Sequence, residues 1–226
     1  MLVTVVLLAL GCVGATVAVV AGSGGSAVEE TGTVALPTGF GPPQLPGLGG
    51  APDPESGPGY SAWAGPGCAT GEYREHGRFE NGDAAWYTVT SGGHRGDACD
   101  GRFSAVPMSG SPDQDRGSTA IWSWELGNGY AECALAVFVP DSGRDRDSAG
   151  HPTVYRVLSD PADARSAYAS FGVRQTAHRG GLVSVGSYRV EGESFSVQLL
   201  DRGRDWGGAE RYGAHHAAAQ MKVDCA

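Results

Sequence analysis

The segment from Gly213 to Cys225, "GAHHAAAQMKVDC", sets two histidines side by side just before the chain ends. Adjacent imidazoles could bind a metal or move protons. An extended backbone works against shared chelation, because successive side chains of a strand point to opposite faces. Helical zinc sites use i, i+4 spacing, and no HExxH pattern occurs. Alternation puts Ala219, Met221, Val223 and Cys225 on an inward parity that His215 shares, with His216, Gln220, Lys222 and Asp224 on the other. The expectation is a structural His215 near the end of the core and an outward His216 within reach of a ligand.

The loop just upstream, "DRGRDWGGAERYGA", is too polar and glycine-rich to be core. Trp206 and Tyr212 lie there among Arg202, Arg204, Asp205, Glu210 and Arg211. Exposed rings flanked by hydrogen-bonding groups suit a sugar, whose C–H faces stack while its hydroxyls meet polar atoms. Trp206, Tyr212, Arg204, Asp205 and His216 are therefore the candidate ligand-binding residues. The competing expectation is that Trp206 folds back as a plug over the edge of the fold. Two acidic loops, "SPDQDRGS" and "PDSGRDRDSAG", offer Asp113, Asp115, Asp141, Asp145 and Asp147 as calcium ligands. Arg116, Arg144 and Arg146 are interleaved with them and EF-hand spacing is absent, so no metal or other cofactor is expected. No G-x-S-x-G elbow, phosphate loop or framed carboxylate pair occurs, so no catalytic residue is assigned and the reading is of a non-enzyme.

The elements that must position these residues are short strands. With 37 Gly, 13 Pro and only 18% charged residues, the composition favours strands joined by many turns. "TAIWSWEL" places Ala120, Trp122, Trp124 and Leu126 on one face, and "CALAVFVP" does the same for Cys133, Leu135, Val137 and Val139. "TVYRVL", "YASFGVRQ" and "LVSVGSYRV" follow. In "SFSVQLL", Phe195, Val197 and Leu199 face inward, with Ser194, Ser196 and Gln198 outward. "SDPADARSAY" carries an Asp160 cap and Pro161 in a first turn, enough for one short helix. The fold class is all-β, an antiparallel β-sandwich of jelly-roll type.

Three segments are expected: 1–21, 22–67 and 68–226. Leu2 to Ala21 is apolar apart from Thr4 and Thr16, long enough to span a bilayer, and has no basic residue before it. It reads either as a signal or anchor that starts further upstream, or as the spanning helix of a membrane protein. Residues 22–67 hold 21 Gly or Pro among 46 and no Lys, Arg or His, the composition of a linker. All versions place the remainder outside the cytoplasm, membrane-anchored or secreted. A net charge of −9 opposes a nucleic-acid partner, since phosphate neutralisation needs surplus Lys and Arg.

That compartment decides the cysteines. Apart from Cys12 there are four, which in an oxidising environment read as two disulfides. Three pairings are open. Cys68–Cys99, closing the N-terminal region, and Cys133–Cys225, joining an early strand to the last, are favoured.

The strand order resembles the golvesin C-terminal domain, also called the xanthan-lyase carbohydrate-binding-like domain. "AAWYTVTSGGHRGDA", "STAIWSWELGNGYAECALAVFVPD", "HPTVYRV", "FGVRQTAHRGGLVSVGSYRVEGESFSVQLLDRG" and "AAAQMKVDC" look like that family's five patterns, in the family's order, over roughly residues 74–225. Leu182 stands where the family usually has Trp, and Ala219-Gln220 where Asp-Ala is usual. The resemblance implies a β-sandwich of secreted or surface proteins and, by analogy, carbohydrate binding. The expected function is a non-catalytic extracytoplasmic module for a cell-wall or extracellular glycan, held to a membrane through the N-terminal segment. The alternative is a sensory or structural ectodomain that binds proteins, with a polysaccharide hydrolase or lyase third.

Overall fold

The computed structural model describes residues 59–226 apart from 83 and 209–211. The chain divides into a unit Met1–Gly49 and a unit Gly50–Ala226, and every described residue lies in the second. The expected membrane segment (1–21) and linker residues 22–58 are outside the described residues. Among the described residues, no helix is long and apolar enough to cross a membrane.

The strands run β1 (Tyr60–Ala64), β2 (Glu72–His76), β3 (Tyr87–Val89), β4 (Arg95–Gly96), β5 (Cys99–Asp100), β6 (Phe103–Pro107) and β7 (Thr119–Glu125). The second half supplies β8 (Glu132–Val139), β9 (Thr153–Leu158), β10 (Ala167–Val173), β11 (Gly181–Arg189), β12 (Ser194–Leu200), β13 (His215–Ala218) and β14 (Met221–Cys225). All pairings are antiparallel. One sheet has the order β1-β14-β8-β11 and the other β10-β9-β12-β7-β2. A three-stranded sheet, β13-β6-β3, closes one end, and β4 pairs β5. The all-β sandwich expected from the strand pattern is the observed fold.

The two large sheets bury one core between them. Trp122, Trp124, Tyr155, Phe195, Leu135 and Met221 are all at most 1% exposed. As the alternation predicts, Phe195, Val197 and Leu199 point into that core. Ser196 and Gln198 differ from expectation, since both are buried on the opposite face. Their cross-strand partners there are Leu158 and Ser123 for Ser196, and Arg156 and Ile121 for Gln198, so this second face is itself partly apolar. Within "SDPADARSAY" the helix is a single 3-10 turn, Ala164–Ser166, capped by Asp163 and not by Asp160.

β1 falls inside the stretch assigned to the linker. It pairs with β14 from Tyr60↔Cys225 to Ala64↔Met221. Trp63 is buried and its ring stacks on His94 at 3.8 Å. The folded domain therefore begins no later than Tyr60, eight residues before Cys68. Glycine and proline on either side of "YSAWA" hid a short alternating strand inside a low-complexity stretch.

Both favoured disulfides are present, Cys68–Cys99 and Cys133–Cys225. They are consistent with an oxidising, extracytoplasmic location.

Gln220 was placed outward, but it is fully buried at the break between β13 and β14. Its Oε1 accepts the His94 N–H at 2.7 Å, and its Nε2 donates to the carbonyls of Pro66 (2.8 Å) and Arg102 (2.6 Å). One amide thus satisfies three backbone groups from three loops. Gln220→Ala would leave those groups without their partner, and it is expected to cost about 2 kcal/mol of unfolding free energy in a denaturant titration. A loss below about 0.5 kcal/mol would show that water replaces the amide without penalty.

Candidate functional site

The site grows from the end of β12, where the chain leaves the sheet at Asp201. Its carboxylate, almost fully buried, accepts the backbone N–H groups of Arg116 (2.9 Å) and Ser118 (2.8 Å), and its carbonyl accepts that of Ser109 (2.7 Å). Burial raises the Asp201 carboxyl, while those N–H groups act to lower it. Arg202 then forks onto Asp115 through two bonds of 2.9 and 2.7 Å, which holds the Asp115 carboxyl below its ordinary value. Gly203 donates its N–H to Ser111 at 2.7 Å. These contacts staple the 201–206 loop to the 109–118 loop, 83 to 92 residues apart in sequence. Asp115, offered above as a calcium ligand, is consumed by this staple. Asp145 pairs with Arg179 at 3.1 Å and Asp147 with Arg144 at 2.9 Å.

On this frame sits Trp206. Its indole N–H donates to the Gly110 carbonyl at 2.8 Å, yet the side chain stays 56% exposed. The Arg204 guanidinium lies over the ring, 5.5 Å from its centre. Tyr212 is 70% exposed, and Asp205 is half-buried beside Gly110. Trp206 is therefore anchored but not folded away as a plug. Trp206, Arg204 and Asp205 come together at one edge of the molecule. Tyr212 lies on the same loop, beyond residues outside the described set. Trp122 and Trp124 are core, as their apolar strand face required.

His216 does not belong to this surface. The residue is wholly buried; its Nε2 faces the Arg202 carbonyl at 3.0 Å and its Nδ1 faces Thr153 Oγ1 at 2.8 Å. A neutral imidazole with its proton on Nε2 satisfies both, donating to the carbonyl and accepting from the hydroxyl. Desolvation lowers its pKa to about 4. The correction to the expected ligand contact has a simple cause. β13 has no solvent face: β9 and the 201–206 loop cover the His216 side, and Ala85 and Tyr87 cover the His215 side. His215 is structural as expected, its ring nitrogens 2.6 and 2.9 Å from the carbonyls of Gly213 and Ala85. Close approach over His216 also explains Gly203. A Cβ there would stand 2.9 Å from His216 Nε2 and from Met108 Sδ.

Beside Arg204 a cleft of about 270 Å³ opens between Met108, Pro112, His151 and Pro152. It adjoins a smaller one of about 160 Å³, which reaches Thr176 and Arg179. His151, Thr176 and Arg179 escaped the sequence reading because nothing local marks them. They arrive from the turn before β9, from the one-turn helix Gln175–His178 and from Arg179 just after it, brought to the 201–206 loop only by the folding of both sheets.

Comparison with protein-family models, with curated proteins and with solved structures finds no match to any of them. The arrangement itself offers an anchored aromatic ring and hydrogen-bonding groups beside a cleft of mixed polar and apolar lining.

Proposed function

We propose that the sandwich is a non-catalytic extracytoplasmic module that recognises a cell-wall or extracellular polysaccharide at the Trp206–Tyr212 loop. One observation carries the reading: Trp206 has its N–H satisfied by the Gly110 carbonyl while more than half of the side chain remains in solvent. A ring held in place by its polar edge loses little conformational entropy on binding, which favours stacking against the apolar face of a sugar. Arg204 and Asp205 flank it with the donors and acceptors that hydroxyls need. The golvesin-like order of strand motifs supports the same class of ligand by analogy. The two disulfides fit a secreted or surface-held protein, and the apolar run Leu2–Ala21 is the proposed signal or anchor.

Pull-down on a panel of insoluble polysaccharides tests this. Trp206→Ala and Tyr212→Ala are each expected to weaken retention about tenfold, roughly 1.4 kcal/mol, without lowering the melting temperature. Retention unchanged in both variants would sink the loop as the site. A protein that no polysaccharide retains, but that captures a protein partner through the same loop, would favour the ectodomain alternative.

A further inference from the structure

We propose that the cleft beside Trp206 takes the carboxylate of a uronate-type sugar, so that the polymer recognised is an acidic one. This rests on the glycan reading of the Trp206 loop.

The first support is the pattern of ion pairs. The chain carries nine more acidic than basic residues, and basic side chains tend to be neutralised by a carboxylate two positions away. Arg74–Glu72, Arg165–Asp163, Arg189–Glu191 and Lys222–Asp224 all follow that spacing, at 2.6 to 3.0 Å. Arg95, Arg116, Arg156, Arg174 and Arg204 have no ion pair among the described residues; of these, Arg204 lines this cleft and Arg174 reaches it through His151. A guanidinium left unpaired at a concave site on an otherwise acidic molecule focuses a local positive potential.

The second support is how the cationic groups are held. Arg204 lines both parts of the cleft, and its guanidinium lies over Trp206, with no hydrogen-bond acceptor or ion pair among the described residues. Arg174 Nη2 donates to His151 Nε2 at 3.0 Å, and His151 Nδ1 then donates to Thr176 Oγ1 at 3.0 Å. That chain fixes the His151 ring, which also lines both parts. Arg179, on the far side, is pinned by Asp145 and by the Ser148 carbonyl. Asp145 is thereby spent, and Asp205 is turned toward Gly110. A planar carboxylate matches the fork of Arg204, and the sugar that bears it, or its neighbour in the chain, reaches Trp206. The volume is at the small end for a ligand site, which fits a single sugar unit of a longer chain.

The test uses the full chain and polymer pairs that differ only in charge: polygalacturonate, alginate and hyaluronate, each with its carboxyl-reduced form, and a poly(glycerol phosphate) as the phosphate arm. At least one acidic polymer is expected to bind about tenfold tighter than its reduced partner. Arg204→Gln should bring the two to equality while weak binding persists. Arg95→Gln, an arginine remote from the cleft, should leave the ratio unchanged, and Trp206→Ala should weaken both members of the pair. Equal binding of a pair, still abolished by Trp206→Ala, overturns the carboxylate assignment and leaves the glycan reading standing. So does a preference that Arg204→Gln does not touch, or tighter binding of the phosphate polymer. Failure of every polymer to bind overturns both.

Discussion

Replacing Cys133 and Cys225 together by alanine is expected to lower the free energy of unfolding by roughly 4 kcal/mol. The two cysteines are directly opposed at the ends of β8 and β14. In the folded state the ladder already holds them together, so the covalent bond adds little there. Its effect falls on the unfolded chain, where it closes a loop with a sequence separation of 92. The separation for Cys68–Cys99 is 31, and the same loop-entropy argument makes that bond weaker by about 1 kcal/mol. Cys133 is also fully buried, so its truncation leaves a small void that adds to the loss. Guanidinium titrations of Cys133→Ala/Cys225→Ala and Cys68→Ala/Cys99→Ala give both magnitudes. A reversed order, or a loss under about 1 kcal/mol for the first pair, would show that strain in the folded state cancels the entropic gain.

The second large effect is acid lability centred on His216. Unfolded, its imidazole titrates near 6.5; folded, it is held to about 4, because protonation would put a charge into a dry site. At Nδ1 an added proton would also face Thr153 Oγ1 and remove the acceptor that hydroxyl now uses. A histidine whose folded pKa is depressed leaves the unfolded state binding the proton first as pH falls. Its contribution is therefore complete above pH 6.5 and drains away as pH drops toward 4, about 3 kcal/mol in all. His215 is lowered in the same direction by burial, so its loss as pH falls adds to that of His216. Denaturant midpoints followed from pH 7.5 to 4 in wild type and His216→Gln read this out. The variant is expected to be less stable at neutral pH and to show a flatter slope between pH 6.5 and 4. An identical slope in both proteins would remove His216 as the cause.

These two results concern a region that the sequence describes only halfway. The alternation in "AAAQMKVDC" foretells the strand, and an even cysteine count in an extracytoplasmic setting foretells two disulfides, with the bond to Cys133 favoured among three pairings. What alternation cannot foretell is whether the outward parity meets solvent. That depends on which distant segments lie against it. Gln220 and His216 were read as outward and are buried, one by the loops around Pro66 and Arg102, the other by β9 and the 201–206 loop. The same blindness concealed β1, since five residues cannot reveal that they will pair with a strand 160 positions away.

The sequence alone determined the fold class, the core-facing residues of β7, β8 and β12, and that four cysteines form two disulfides. Each follows from local chemistry: period-two alternation and thiol oxidation. The tertiary structure decided where the domain starts, which cysteines pair, that His216 lies inside while Trp206 stays exposed, and that His151 and Thr176 meet Arg204 across one cleft. Those outcomes turn on contacts between segments far apart in the chain, and they exist only once the two sheets have closed on each other.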